Sequence, residues 1–137
     1  MPNSFPTYLC ARVFLGFNAG FSILTGFALI LFPDFIAEIM LTKEISWISE
    51  AFVGLGVLLL GFAVSLVVLV RDRFLSKPKI VSISAADVGW VVSSGVVLLL
   101  FSDFLTSKGV AVIIGVNVFV AVFALGQFMG ARVTVAA

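Results

Sequence analysis

The sequence predicts an all-α bundle of four transmembrane helices, and three observations carry that expectation. The first is composition: of 137 residues, 62% are hydrophobic and 11% charged, where a soluble domain carries roughly 25% charged residues. The second is spacing. Charged and proline-bearing stretches cut the chain into about four uncharged runs, each close to the ~20 residues a helix needs to cross a bilayer. The third is an internal echo: residues 18–35 read NAGFSILTGFALILFPDF and residues 87–104 read DVGWVVSSGVVLLLFSDF. At a constant offset of 69 residues they agree without a gap at Gly20/Gly89, Gly26/Gly95, Leu29/Leu98, Leu31/Leu100, Phe32/Phe101, Asp34/Asp103 and Phe35/Phe104. Shared Leu and Phe are cheap in apolar helices, but paired glycines and a terminal Phe-x-Asp-Phe are not. The expectation is a tandem parallel repeat of a two-helix hairpin, repeat 1 about 11–71 and repeat 2 about 80–132, within a single membrane domain 1–137.

The first span covers residues 13–32, which hold no charged side chain. The segment before it is short, with Pro2 and Pro6, and has no Lys or Arg ahead of Arg12. A secretory signal wants a basic start and a shorter apolar core, so a retained span is expected. Pro33 ends it, and Asp34 marks the return to water. Apolar Phe35, Ile36, Ile39 and Met40 set against Asp34, Glu38 and Lys43 predict a short amphipathic helix along the interface. Trp47 is placed to anchor the second span, residues 47–70, with Glu50 in its first turn and Ser46 ahead of it as a cap. Arg71, Asp72 and Arg73 stop that span, and residues 71–79 form a basic connecting loop. The third span is expected from about 80 to 102, with Asp87 its one charge; Asp103 and Lys108 bracket a turn into the fourth, 109–131.

Six of the eight basic residues (Arg12, Arg71, Arg73, Lys77, Lys79 and Arg132) fall at one end of this arrangement, and Lys43 and Lys108 at the other. Positive charge gathers on the cytoplasmic side, so N and C termini and the 71–79 loop are expected there. Two copies separated by an even number of spans share one orientation and are related by an axis along the membrane normal. Inverted halves, on which many alternating-access transporters depend, are not produced by such a duplication.

Composition also excludes functions. Net charge is +1, and no basic run interleaved with aromatics appears, so nucleic acid is not an expected partner. There is no histidine and a single cysteine, Cys10. That removes the commonest ligands for haem, zinc and copper and the usual base near neutral pH, so no metal and no cofactor are expected. Ser22, Thr25, Ser65, Ser93 and Ser94 have no histidine to activate them, and no phosphate-cradling glycine loop is present. No enzyme activity is expected, and no catalytic residue is assigned.

Asp87 is the residue that asks most from the membrane. A carboxylate at the centre of a span costs about 2.5–3.5 kcal/mol on insertion scales and marks a functional site by default. Its counterpart in the first copy is Asn18, also polar, and Trp90 follows one turn later. Asn18, Asp87 and Trp90 could therefore form a polar layer between spans one and three. The plainer expectation is that Asp87 lies near the cytoplasmic surface, caps span three and pairs with Arg12, Arg71 or Arg132. Glu50 is likewise either a boundary carboxylate or part of a pore, and lies too far from Asp87 to form an acid–base pair with it. Gly16 and Gly20, Gly126 and Gly130, together with Gly26, Gly89 and Gly95, are the expected close-packing positions. Asn117 and Gln127 in span four are expected to hydrogen-bond between helices.

Arg12-Val-Phe-Leu-Gly16, the glycine-bearing first span, Pro33 and the four-span length resemble the DoxX-like small bacterial membrane proteins. Asp87-Val-Gly-Trp90-Val opening a third span is similar to a recurring group of uncharacterised four-span bacterial inner-membrane proteins. Small multidrug-resistance transporters share the length, but their embedded Glu in span one has no counterpart here. The resemblance implies a multi-pass protein of the bacterial inner membrane. The function expected first is an accessory or scaffold subunit, packing with itself as a homo-oligomer or with a larger membrane complex in the lipid bilayer. The alternative is a small-solute, ion or proton transporter or channel that uses the Asn18/Asp87 layer.

Overall fold

A computed structural model describes residues 7–133; Pro2 and Pro6 lie outside them. The fold is an all-α bundle with four helices long and apolar enough to cross a membrane: α1 (Leu9–Leu31), α3 (Ile48–Arg71), α4 (Lys77–Leu100) and α5 (Ser107–Arg132). The predicted amphipathic segment is α2 (Pro33–Met40). Pro33 supplies the boundary: it lacks the N–H that would continue α1, yet its fixed φ suits the first turn of a new helix. Two helices start three or more residues ahead of expectation. The first span begins at Leu9 rather than residue 13, and the third at Lys77 rather than residue 80. Polar residues at a helix end do not stop its hydrogen bonding, and Pro78 in the first turn of α4 favours an early start.

Consecutive long helices run antiparallel. α1 is the centre of the array, packed along α3 on one side and α5 on the other, while α4 leans on α5. The outer members α3 and α4 are not packed along each other. Small side chains set how closely the helices meet. At the α1/α3 crossing a Cβ on Gly56 would stand 2.7 Å from the Gly26 carbonyl oxygen and 2.8 Å from Ile30. At the α1/α5 crossing one on Gly130 would stand 2.6 Å from the Ala11 nitrogen. Phe21 then stacks on Phe119 at 5.5 Å and meets Phe123 edge-on at 5.7 Å.

The two ends are closed differently. At the basic end Ala11, Leu15, Leu66, Leu75, Ile80 and Ala131 form a tight apolar core. There Arg12 of α1 donates to the Thr7, Val70 and Asp72 carbonyl oxygens at 2.7, 2.5 and 2.7 Å. It thus satisfies carbonyls at the end of α3 that have no partner within the helix. Lys79 donates to Asp72 at 2.6 Å and, with the Phe74 N–H, holds that partly exposed carboxyl below its ordinary range. At the other end the connectors staple the two hairpins. Thr42 N–H donates to the Phe104 carbonyl at 3.0 Å and Thr106 N–H to that of Met40 at 2.8 Å, across a bridge between Leu41 and Leu105. Thr106 also caps α5 by accepting from Gly109 N–H at 2.9 Å.

Candidate functional site

Asn18, in the third turn of α1, and Asp87, ten residues into α4, point at each other across the bundle. Asn18 Nδ2 donates to Asp87 Oδ2 at 2.8 Å, and the two residues are 1% and 4% exposed. The surrounding helix turns extend this pair into a layer. Ser22, one turn along α1, donates to Asn18 Oδ1 at 3.4 Å, and Ser84, one turn before Asp87, donates to Gln127 Oε1 of α5 at 3.4 Å. The Gln127 side chain is fully buried, and its nitrogen faces the Asp87 carboxyl beyond hydrogen-bond geometry.

The plainer expectation for Asp87 is therefore corrected. It does not cap α4, because the helix starts at Lys77 and leaves Asp87 in its interior. It pairs with none of the three arginines among the described residues. Arg12 is occupied by backbone carbonyls, Arg71 ends α3, and Arg132 stacks 4.4 Å over the Phe128 ring. The early start of α4 is the physical reason: it leaves Asp87 about a turn further from the helix start than a span beginning at residue 80 would.

A half-open pocket of about 240 Å³ between the helices touches this layer at Asn18, Ser22 and Asp87. A larger one, about 740 Å³, fills the half of the bundle on the α2 side, and Thr25, Leu55, Trp90 and Val116 line both. Its walls include Thr25 of α1, Ile39 of α2, Phe52 of α3, Trp90 and Ser94 of α4, and Asn117 of α5. It exists because α3 and α4 do not pack along each other, while α2, packed on α3 and α5, closes one end. Two of the lining residues carry polar atoms, Trp90 Nε1 and Asn117 Oδ1, that are buried against protein atoms without a hydrogen-bond partner among the described residues. The expected interhelical bond of Asn117 Oδ1 is thus not formed, whereas Gln127 makes its own through Ser84.

The remaining residues separate cleanly. Glu50 is exposed in the first turn of α3 and lines neither cavity. Ser46 does not cap that helix; Trp47 occupies the capping position, and Ser49 instead donates to Asp34. Of the expected packing glycines, Gly26, Gly126 and Gly130 sit at close approaches inside the bundle. Gly16, Gly20, Gly89 and Gly95 do not: a Cβ on any of them would meet nothing within 4 Å. Gly56, at the α1/α3 crossing, and Gly109, pressed against the Met40 backbone, are packing positions that sequence reasoning missed. The extension of the layer to Ser22 and Ser84 was legible, since each lies one helical turn from Asn18 or Asp87 on the same face. The cavity was not, because periodicity says which face is apolar and not how far apart two faces stand. Comparison of the chain with protein families, with characterised proteins and with solved structures finds no match.

Proposed function

We propose that this chain is a four-span membrane protein of the bacterial inner membrane that binds a small solute inside its bundle, with Asp87 at the foot of the site. The observation that carries the reading is the Asp87 carboxyl, buried with no cation beside it among the described residues, held by Asn18 and lining a half-open pocket between the helices. A carboxyl retained at such a depth, against its insertion cost, is accounted for by a ligand more readily than by packing. Membrane residence is supported by outward-facing side chains such as Leu99, Leu24 and Leu58, which are 82%, 74% and 72% exposed. Water would penalise so apolar a surface, and lipid would not. The basic ends of the helices are read as cytoplasmic. The tandem parallel repeat is supported by the Asn18–Asp87 bond itself, which joins residues 69 apart in sequence, the offset at which the copies align.

A second reading, the accessory subunit or homo-oligomer, is favoured by one specific feature. Gly16 and Gly20 floor an open apolar groove on the α1/α5 face walled by Phe17, Phe21, Phe119 and Phe123, a shape that admits another helix.

Native mass spectrometry of the protein released from membranes in a mild detergent separates the two. Solute binding is expected to show as a small-molecule adduct that is lost when the cavity is filled by Ser94→Phe, with the bundle still folded. A stoichiometric protein partner with no small-molecule adduct would overturn it in favour of the accessory reading.

A further inference from the structure

Asp87 has one carboxyl oxygen to spare. Oδ2 takes the Asn18 amide at 2.8 Å, whereas Oδ1 accepts no hydrogen bond among the described residues. The unbonded buried side-chain atoms that protein seals off are Trp90 Nε1, Asn117 Oδ1 and Gln127 Nε2; Asp87 Oδ1 is not one of them and keeps access to open space. That space is the half-open pocket of about 240 Å³ that Asp87 lines. Phe21, Phe62 and Trp90 line the same pocket, aliphatic side chains cover most of the remaining wall, and no other charged side chain among the described residues reaches it. An anion entering there meets a like charge, and a neutral hydrocarbon leaves the carboxylate uncompensated. A bare metal ion needs roughly six or more oxygen ligands, and the described residues hold no group of three or more acidic or cysteine side chains placed to bind one. An organic ammonium asks for less. One carboxylate answers its charge, the Ser22 and Thr25 hydroxyls can accept from a further N–H, and aromatic faces attract a cation.

We propose that this pocket takes a small, mostly apolar organic cation, whose ammonium group donates to Asp87 Oδ1 and lies among Phe21, Phe62 and Trp90. The proposal rests on the solute-binding reading above and adds the class of solute. The apolar remainder of the molecule is directed toward the larger cavity, which shares Thr25, Leu55, Trp90 and Val116 with this pocket.

The test uses Trp90, which lines the pocket, as the reporter. The chain has two tryptophans, so Trp47→Phe leaves one, and bromine quenches indole fluorescence on contact. The full chain is reconstituted in phosphatidylcholine vesicles and titrated at neutral pH with 4-bromobenzylamine, 4-bromobenzyl alcohol or 4-bromobenzoate, which share a ring and differ in charge. The expected result is saturable quenching by the amine at on the order of tenfold lower concentration than by the alcohol, and none by the benzoate. The uncharged alcohol partitions into lipid more readily than the ammonium, so this preference runs against partitioning. Asp87→Asn, which keeps an oxygen facing Asn18, is expected to abolish it. Should that variant misfold, the unaltered chain reads the same contact: benzylamine, and not benzyl alcohol, protects Asp87 from labelling by N,N′-dicyclohexylcarbodiimide. Equal quenching by amine and alcohol, or a preference that survives in Asp87→Asn, would overturn the cation assignment while leaving a solute pocket in place. Saturable quenching by the benzoate would overturn it as well. No saturable quenching by any of the three would overturn both readings.

Discussion

Gly56→Leu is expected to disrupt the α1/α3 hairpin, with a loss of about 3 kcal/mol or more. A Cβ at this position would meet the Gly26 carbonyl oxygen at 2.7 Å, Ile30 Cγ1 at 2.8 Å and Leu29 Cβ at 3.2 Å. Two of those neighbours are a side chain that can rotate and a Cβ that cannot; the third is backbone of the central helix, which moves only if α1 and α3 separate. Separation would strip α1 of its longest contact and pull Arg12 from the end of α3. Gly54→Leu and Gly61→Leu are the controls on the same helix. A Cβ at either meets nothing within 4 Å, so each should be neutral or gain up to about 1 kcal/mol from helix propensity. Thermal unfolding in detergent, followed by circular dichroism, ranks the three. A tolerated Gly56→Leu would mean that the helices do not cross where described.

Asp87→Leu is expected to cost about 1–3 kcal/mol, because it leaves Asn18 Nδ2 buried without an acceptor. Asp87→Asn keeps an oxygen in that position and should shift stability by less than about 0.5 kcal/mol. Asn18→Leu strands the carboxyl instead and should cost as much as Asp87→Leu. Removing both partners leaves no orphan, so the double variant should be less damaged than the two losses added together. The coupling expected in a membrane interior is about 0.6–1.7 kcal/mol. Simple additivity in that cycle would show that the two side chains do not bond. The comparison also separates structure from function at Asp87. Asp87→Asn preserves the fold but removes the carboxyl, so loss of bound solute in that variant alone assigns the carboxyl to the ligand.

Much of this architecture was legible in the residues. Uncharged runs between Arg12, Pro33, Arg71, Lys108 and Arg132 gave the helices, and the alternation of Phe35 to Met40 with acids gave α2, because hydrophobic burial and proline geometry act locally. The pairing of Asn18 with Asp87 was legible as well, through the alignment of the two segments. The place of Asp87 within α4 was misjudged because Lys77 and Pro78 enter the helix, and charge alone does not mark a helix start. Which glycines would pack was only half legible. Gly26 and Gly130 meet neighbours whereas Gly20 and Gly89 face outward, and a glycine looks the same in sequence whichever way its helix is turned. The cavity and its orphaned Trp90 and Asn117 atoms depend on the spacing of α3 and α4, a tertiary quantity with no local signal.

Carbodiimide labelling tests most directly whether an apolar route leads to Asp87. N,N′-dicyclohexylcarbodiimide partitions into membranes and reaches carboxyls in apolar surroundings, whereas a water-soluble carbodiimide reaches those at the surface. Peptide mass spectrometry of the membrane-embedded chain should find the lipophilic reagent on Asp87. The water-soluble reagent should mark exposed Asp34, Glu38 and Asp103 and spare Asp87. Labelling of Asp87 by the water-soluble reagent, or of surface carboxyls alone by the lipophilic one, would contradict the buried site.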